Sequence, residues 1–167
     1  MKNMDLGKRI NMEIEELLDI VKEIVEKADD LKVRYTNEAN AKVNYACIFC
    51  QNEDEFEIFR KVLEENGNAV LEETSTGPLF RIKDLDTIAG TLKLLKIRKH
   101  DDKHLDMGDA DFTVSNYEPF KAECLKNLDN FKLISGDGYE MIELMETGND
   151  VRAYFSNPPL DEELGIK

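Results

Sequence analysis

Residues 109–155 read DADFTVSNYEPFKAECLKNLDNFKLISGDGYEMIELMETGNDVRAYF, and this stretch decides the fold. Asp109 to Val114 alternates polar and apolar side chains, the pattern of a strand with one buried face. Ser115 and Glu118 have the spacing of a capping box, so a short helix should open there and run to about Leu125. Pro119 falls in its first turn, where a missing N–H costs little. Phe131 to Ile134 reads as a strand. Gly136-Asp137-Gly138 is hairpin-turn chemistry, and Tyr139 to Met145 pairs back. Thr147-Gly148-Asn149-Asp150 is a second turn before a last strand, Val151 to Phe155. The order is βαβββ.

The same order precedes it. Val43 to Cys50 is a short apolar run rich in β-formers, apolar on both faces as a central strand is. A helix over about Glu53 to Asn66 places Phe56, Phe59 and Leu63 on one face, with acidic residues in its first turn and Gly67 as its stop. Ala69 to Thr74 and Leu79 to Ile82 make a hairpin around Ser75-Thr76-Gly77-Pro78. After a short helical or irregular insert, Leu92 to Arg98 is the fourth strand. Residue identity between the two copies is low, so the repeat lies in the order of elements.

Upstream, Ile10, Ile14, Leu17, Leu18, Val21, Ile24, Val25 and Ala28 recur at steps of three and four. This predicts an amphipathic helix within residues 1–35. Its apolar stripe needs a partner, either the rest of the chain or a second copy in a homodimer. Residues 156–167, with Pro158 and Pro159, read as a surface tail. The fold class expected is α+β: an N-terminal helix (1–35) followed by two βαβββ modules (43–98 and 109–155) sharing one globular domain.

That order of elements resembles the vicinal oxygen chelate superfamily, which includes glyoxalases, extradiol dioxygenases and bleomycin-resistance proteins. The resemblance covers about residues 43 to 155 and is architectural, without a diagnostic motif. It implies a curved mixed sheet with a concave ligand cavity. It also implies a divalent metal held by His, Glu or Gln from the inner strand faces, although some members bind ligands without one. Here Asn44 and Tyr45 stand in the first strand of the first module, and Asp109 and Asp111 in that of the second. Glu143 stands where a carboxylate ligand is expected. A duplicated ferredoxin-like arrangement is the competing order.

Strand alternation assigns the faces. Phe80, Ile82, Leu95, Ile97, Ala110, Phe112, Val114, Ile142, Leu144, Val151, Ala153 and Phe155 should pack under the helices. Arg81, Leu94, Lys96, Arg98, Asp109, Asp111, Thr113, Met141, Glu143, Met145, Arg152 and Tyr154 then face the opposite side. Charges on a semi-enclosed surface must pair or meet a ligand, because desolvation is otherwise costly. Two outcomes follow: a pocket for a small polar or anionic ligand, or a solvated sheet face laced with cross-strand ion pairs. In the first, Arg81, Lys96, Arg98 and Arg152 bind the substrate, because guanidinium forks suit carboxylates and phosphates. Tyr154 supplies a catalytic hydrogen bond, and Asp109, Asp111 and Glu143 hold a divalent metal or act as acid–base groups. Such an enzyme would carry out metal-assisted enolisation, isomerisation, lyase or dioxygenase-like chemistry.

The segment 100–111 holds both histidines and five aspartates but lacks calcium-loop spacing, and reads as a solvated inter-module loop. Cys47 and Cys50 have C-x-x-C spacing, yet on a strand they point to opposite faces and read as core cysteines. The whole chain of 167 residues carries 36 acidic against 22 basic residues, a net charge of −14. That charge argues against nucleic acid and anionic membranes as partners. Three cysteines fit a reducing cytoplasm. The alternative function is a non-catalytic interaction or dimerisation module using the N-terminal helix and acidic surface.

Overall fold

The computed structural model describes residues 12–166. Ile10 of the N-terminal stripe and Lys167 of the tail lie outside them. The elements are α1 (Ile14–Tyr35), β1 (Lys42–Phe49), α2 (Glu53–Glu65), β2 (Ala69–Thr74), β3 (Gly77–Thr87), β4 (Gly90–Arg98), β5 (Gly108–Thr113), α3 (Tyr117–Cys124), β6 (Phe131–Gly136), β7 (Tyr139–Leu144), β8 (Val151–Asn157) and α4 (Leu160–Glu163). All eight strands join one curved, open sheet in the order β2-β3-β4-β1-β5-β8-β7-β6. Each module repeats one plan: its first strand runs parallel to its last, and its middle strands are antiparallel. The modules meet where β1 pairs antiparallel with β5. A duplicated ferredoxin-like arrangement does not have this order.

The convex face carries the core. Leu17, Val21, Ile24, Val25, Ala28 and Leu31 of α1 are fully buried in one cluster with Phe80, Leu95, Ile97, Ala110, Phe112, Ile142 and Phe155. The stripe of α1 is thus covered by the chain's own sheet. Lys32 is buried on the same helix, where its ammonium donates to the Ala41 carbonyl (2.6 Å), pairs with Asp29 (2.7 Å) and lies over the Phe112 ring. A buried ammonium needs this full set of partners.

Three expectations change. The insert after Ile82 is strand: β3 continues to Thr87, and a tight turn at Ile88-Ala89 leads into β4. A register shift between Arg81 and Leu85 breaks the alternation there and hides the strand pattern. The Ser115–Glu118 capping box does not form. The helix starts at Tyr117, with Asn116 as an N-cap that makes no side-chain bond. The tail is no simple surface excursion, because β8 runs to Asn157 and α4 folds back against β1.

Candidate functional site

The concave face is positioned by three features of the strands. First, β1 and β5 come unusually close, because a Cβ on Gly108 would lie 2.2 Å from the Cys47 carbonyl oxygen. Second, a bulge at Asn44 resets the phase of β1, so that Val43, Ala46 and Ile48 enter the core. Tyr45 and Cys47 then face the other way and line the cavity. Third, the pairing registers set side chains in rows. One row runs Leu79, Lys96, Cys47, Asp109, Arg152 across β3, β4, β1, β5 and β8. The next runs Tyr45, Asp111, Tyr154, Glu143 across β1, β5, β8 and β7.

Above these rows lies a cavity of about 370 Å³. Tyr45, Cys47, Lys96, Arg98, Asp109, Tyr154 and Ser156 line it, together with apolar Leu79, Met141, Pro158 and Leu160. Glu72 and Thr74 of β2 and Tyr139 of β7 bring both modules to its mouth. The tail closes part of it. The Asn44 amide donates to the Asp161 carboxylate (2.6 Å), and the Asp161 backbone N–H donates back to Asn44 (3.1 Å). This two-bond clamp on the β1 bulge holds Leu160 and Glu163 over the sheet.

The residues expected at a site divide into three groups. In the first, Lys96, Arg98, Asp109 and Tyr154 share the cavity. Asp109 is only 7 % exposed, its carboxyl makes no hydrogen bond, and its Oδ1 has no partner. Lys96 makes no hydrogen bond or ion pair among the described residues. Arg98 reaches Asp101 at 3.5 Å and lies over the Phe49 ring, but its buried Nε has no partner.

In the second group, side chains satisfy one another. Asp111 is fully buried and accepts hydrogen bonds from both the backbone N–H and the hydroxyl of Ser156. Glu143 accepts from the Tyr154 hydroxyl (2.6 Å) and from Arg152 (3.4 Å). Arg152 also pairs with Asp106, so its guanidinium is occupied. The third group is Arg81 alone. It does not line the cavity and pairs instead with Asp84 and the Ile82 carbonyl.

The inter-module loop supports the cavity floor. His104 hydrogen-bonds Asp101 (3.0 Å) and meets the Phe49 ring edge-on at 5.3 Å. Asp101 and Asp106 thereby serve as counter-charges for Arg98 and Arg152.

Asp109, Asp111 and Glu143 do not make a ligand set for a metal. Asp111 is saturated by Ser156 and Glu143 by Tyr154 and Arg152, which leaves Asp109 alone. Among the described residues, no group of three or more His, Cys, Asp or Glu is arranged to hold a metal ion. Electrostatics follow from burial. Desolvation, then the neighbouring Asp111, pushes Asp109 up to about 8 against the pull of Arg152, Lys96 and Arg98. Desolvation pushes Asp111 up to about 7, while the bonds from Ser156 oppose it. The Cys47 thiol and the Tyr45 and Tyr154 phenols are all shifted upward, chiefly by burial, so each stays protonated at neutral pH.

The rows also bring in residues that the sequence did not nominate. Cys47 of β1 lines the cavity, while Cys50, just past the end of the strand, sits in the core. Tyr45 and Phe49 share the face of Cys47. The alternation rule applied to β1 would have found all three, but the run of apolar residues concealed two distinct faces. Ser156 and the α4 residues were missed because the last strand was ended too early.

No protein-family model matches the chain, and no curated protein matches its sequence. Solved structures are similar at low identity. One, described as "Structural Genomics, Protein EC4020", is 12 % identical with a TM-score of 0.71 over 92 % of each chain. A glyoxalase/bleomycin resistance protein/dioxygenase superfamily member from Vibrio splendidus 12B01 is 13 % identical, with a TM-score of 0.44 over 70 % of this chain and 97 % of that one. A Streptomyces coelicolor methylmalonyl-CoA epimerase in complex with 2-nitronate-propionyl-CoA is 12 % identical, with a TM-score of 0.41 over 69 % of this chain and 96 % of that one. Among the described residues, no helix is long and apolar enough to cross a membrane. With two βαβββ modules joined through their first strands into a curved, open eight-stranded mixed sheet, this chain has the vicinal oxygen chelate fold.

Proposed function

We propose that this protein binds a small polar or anionic molecule in the concave cavity, with Lys96 and Arg98 as its anchors. One observation carries the reading. Charged groups on the floor of a partly enclosed cavity are left without partners, while Arg152, Glu143 and Asp111 beside them are satisfied by protein groups. The unpartnered groups are Lys96, the Nε of Arg98 and the carboxyl of Asp109. Unsatisfied buried polar groups cost about 1–3 kcal/mol each. A fold that keeps two such atoms, Arg98 Nε and Asp109 Oδ1, in one cavity is compensated when a ligand satisfies them. Arg152, Glu143 and Tyr154 act on this reading as a rigid wall that holds the floor in place.

The reading is tested by thermal unfolding with millimolar small carboxylates and phosphates. An anion in the cavity raises the melting temperature, since a ligand at 100 times its Kd contributes about 2.7 kcal/mol. The double variant Lys96→Met, Arg98→Leu should keep the fold and lose the shift. No shift with any anion, or a shift unchanged in the double variant, contradicts it.

A further inference from the structure

Glu72 and Glu163 are exposed at the rim of the cavity; on its floor the titratable side chains are sorted by strand. Both cations, Lys96 and Arg98, belong to β4. Both buried carboxyls of the central strands, Asp109 and Asp111, belong to β5. Between them β1 contributes only groups that are neutral at physiological pH, Tyr45 and Cys47. Cys47 stands in register with Lys96 on one side and with Asp109 on the other. Two strand spacings separate the cationic and acidic lines, so their backbones lie roughly 10 Å apart. The floor therefore has cations along one side, carboxyl groups along the other and a neutral strand between them.

Asp109 gives this arrangement its meaning. Its carboxyl is more than nine-tenths buried, lines the cavity and has an oxygen with no partner. A plain anion would satisfy Lys96 and Arg98 and leave that oxygen as it is, or be repelled by it once Asp109 ionised. A cation alone would satisfy Asp109 and abandon β4. A molecule with one group of each sign answers both ends.

Resting on the reading of this cavity as a ligand site, we propose that its occupant is a small zwitterionic amino-carboxylate. Its carboxylate lies against Lys96 and Arg98, and its ammonium lies against Asp109. The proton that Asp109 holds in the free protein goes to solvent as the ammonium takes its place. Leu79, Met141 and Leu160 border the same space, so the body of the ligand is apolar. Asp111 stays with Ser156, and Arg152 with Asp106 and Glu143, so neither competes for the ligand.

The test is calorimetry on the whole chain at pH 7.5 with two matched sets. Leucine is compared with 4-methylpentanoate, which lacks the ammonium, and with 3-methylbutylamine, which lacks the carboxylate. Phenylalanine is compared with 3-phenylpropanoate and phenethylamine. At least one zwitterion should bind about 30-fold or more tightly than both its truncated forms, the lower end for removing one partner of a buried charge pair. Asp109→Asn should abolish the preference over the carboxylate analogue, and Lys96→Met the preference over the amine, with circular dichroism unchanged. Carboxylate analogues that bind as tightly as the zwitterions overturn this inference and leave the anion site standing. Failure of all six to bind at millimolar concentration overturns this inference, and failure of inorganic phosphate as well overturns the anion site.

Discussion

A chain that begins at Thr36 will not fold. The α1 helix contributes six fully buried side chains to the convex core, five of them Leu, Ile or Val. Burying each large aliphatic side chain is worth about 1.5–3 kcal/mol, so the five together supply on the order of 10 kcal/mol. That sum is an upper bound, because the unfolded chain already hides some apolar surface. Yet the net stability of a domain is only about 5–15 kcal/mol, and the loss consumes most of it. Removing α1 also uncovers the apolar face of β1, β5 and β8 and strands the Ala41 carbonyl that Lys32 satisfies. Far-UV circular dichroism and urea unfolding of residues 36–167 should show no cooperative transition. A native-like spectrum with a cooperative transition would mean that α1 is an appendage, with its stripe free for another partner.

The second large effect is on pH dependence. Asp109 and Asp111 are raised to about 8 and about 7 in the folded protein, from the ordinary 3.8. Between these values the folded state holds more protons than the unfolded chain. Their contribution to stability is full below about pH 4 and is lost as pH rises through 7 and 8. Glu146 works in the other direction. Arg34 and Tyr35 hold it down at about 2, so its contribution is lost as pH falls through the ordinary carboxylate range. Stability should therefore peak in acidic solution, at about pH 4. Asp109→Asn removes the ionisation at the buried site. At pH 8 the variant should be more stable by about 3–5 kcal/mol, roughly 10 °C in melting temperature, and the gap should close towards pH 4. Chemical denaturation at a series of pH values checks this. A variant no more stable than the parent at pH 8 would show that Asp109 is ionised and well solvated in the fold. A group that destabilises the resting protein in this way is expected where function, rather than folding, selects it.

The architecture was legible because it is written in period and punctuation. Alternation in 109–114, a short helix and two turns gave βαβββ, and the same order at 43–98 gave the pair of modules. The face assignments follow from alternation wherever the strand is regular, as in Asp109-Ala110-Asp111-Phe112. They fail at bulges, which carry no compositional mark. The shift after Arg81 turned half of β3 into an apparent loop, and the bulge at Asn44 puts Val43 out of phase with Ala46 and Ile48 of the same core face.

The site was legible only in part, for a different reason. A sequence can place a charge on a face but cannot say whether that charge is already paired. Arg152, Glu143 and Asp111 looked like free ligands until the fold brought Asp106, Tyr154 and Ser156 to them. Asp106 comes from the inter-module loop and Ser156 from the end of β8, segments that read as connector and tail, while Tyr154 lies in the strand where it was expected. The metal set dissolved for the same reason.

The central claim is that the unpaired charges of β4 and β5 form one ligand site on the concave face. It is tested most directly by heteronuclear NMR of the isotope-labelled chain titrated with 4-methylpentanoate and with leucine. The backbone amides of Cys47, Lys96, Arg98 and Asp109 should shift together on one saturable curve, along with those of Leu160 and Asp161 in the tail above them. Shifts confined to residues away from the concave cavity, or no saturable shift at all, would contradict the account.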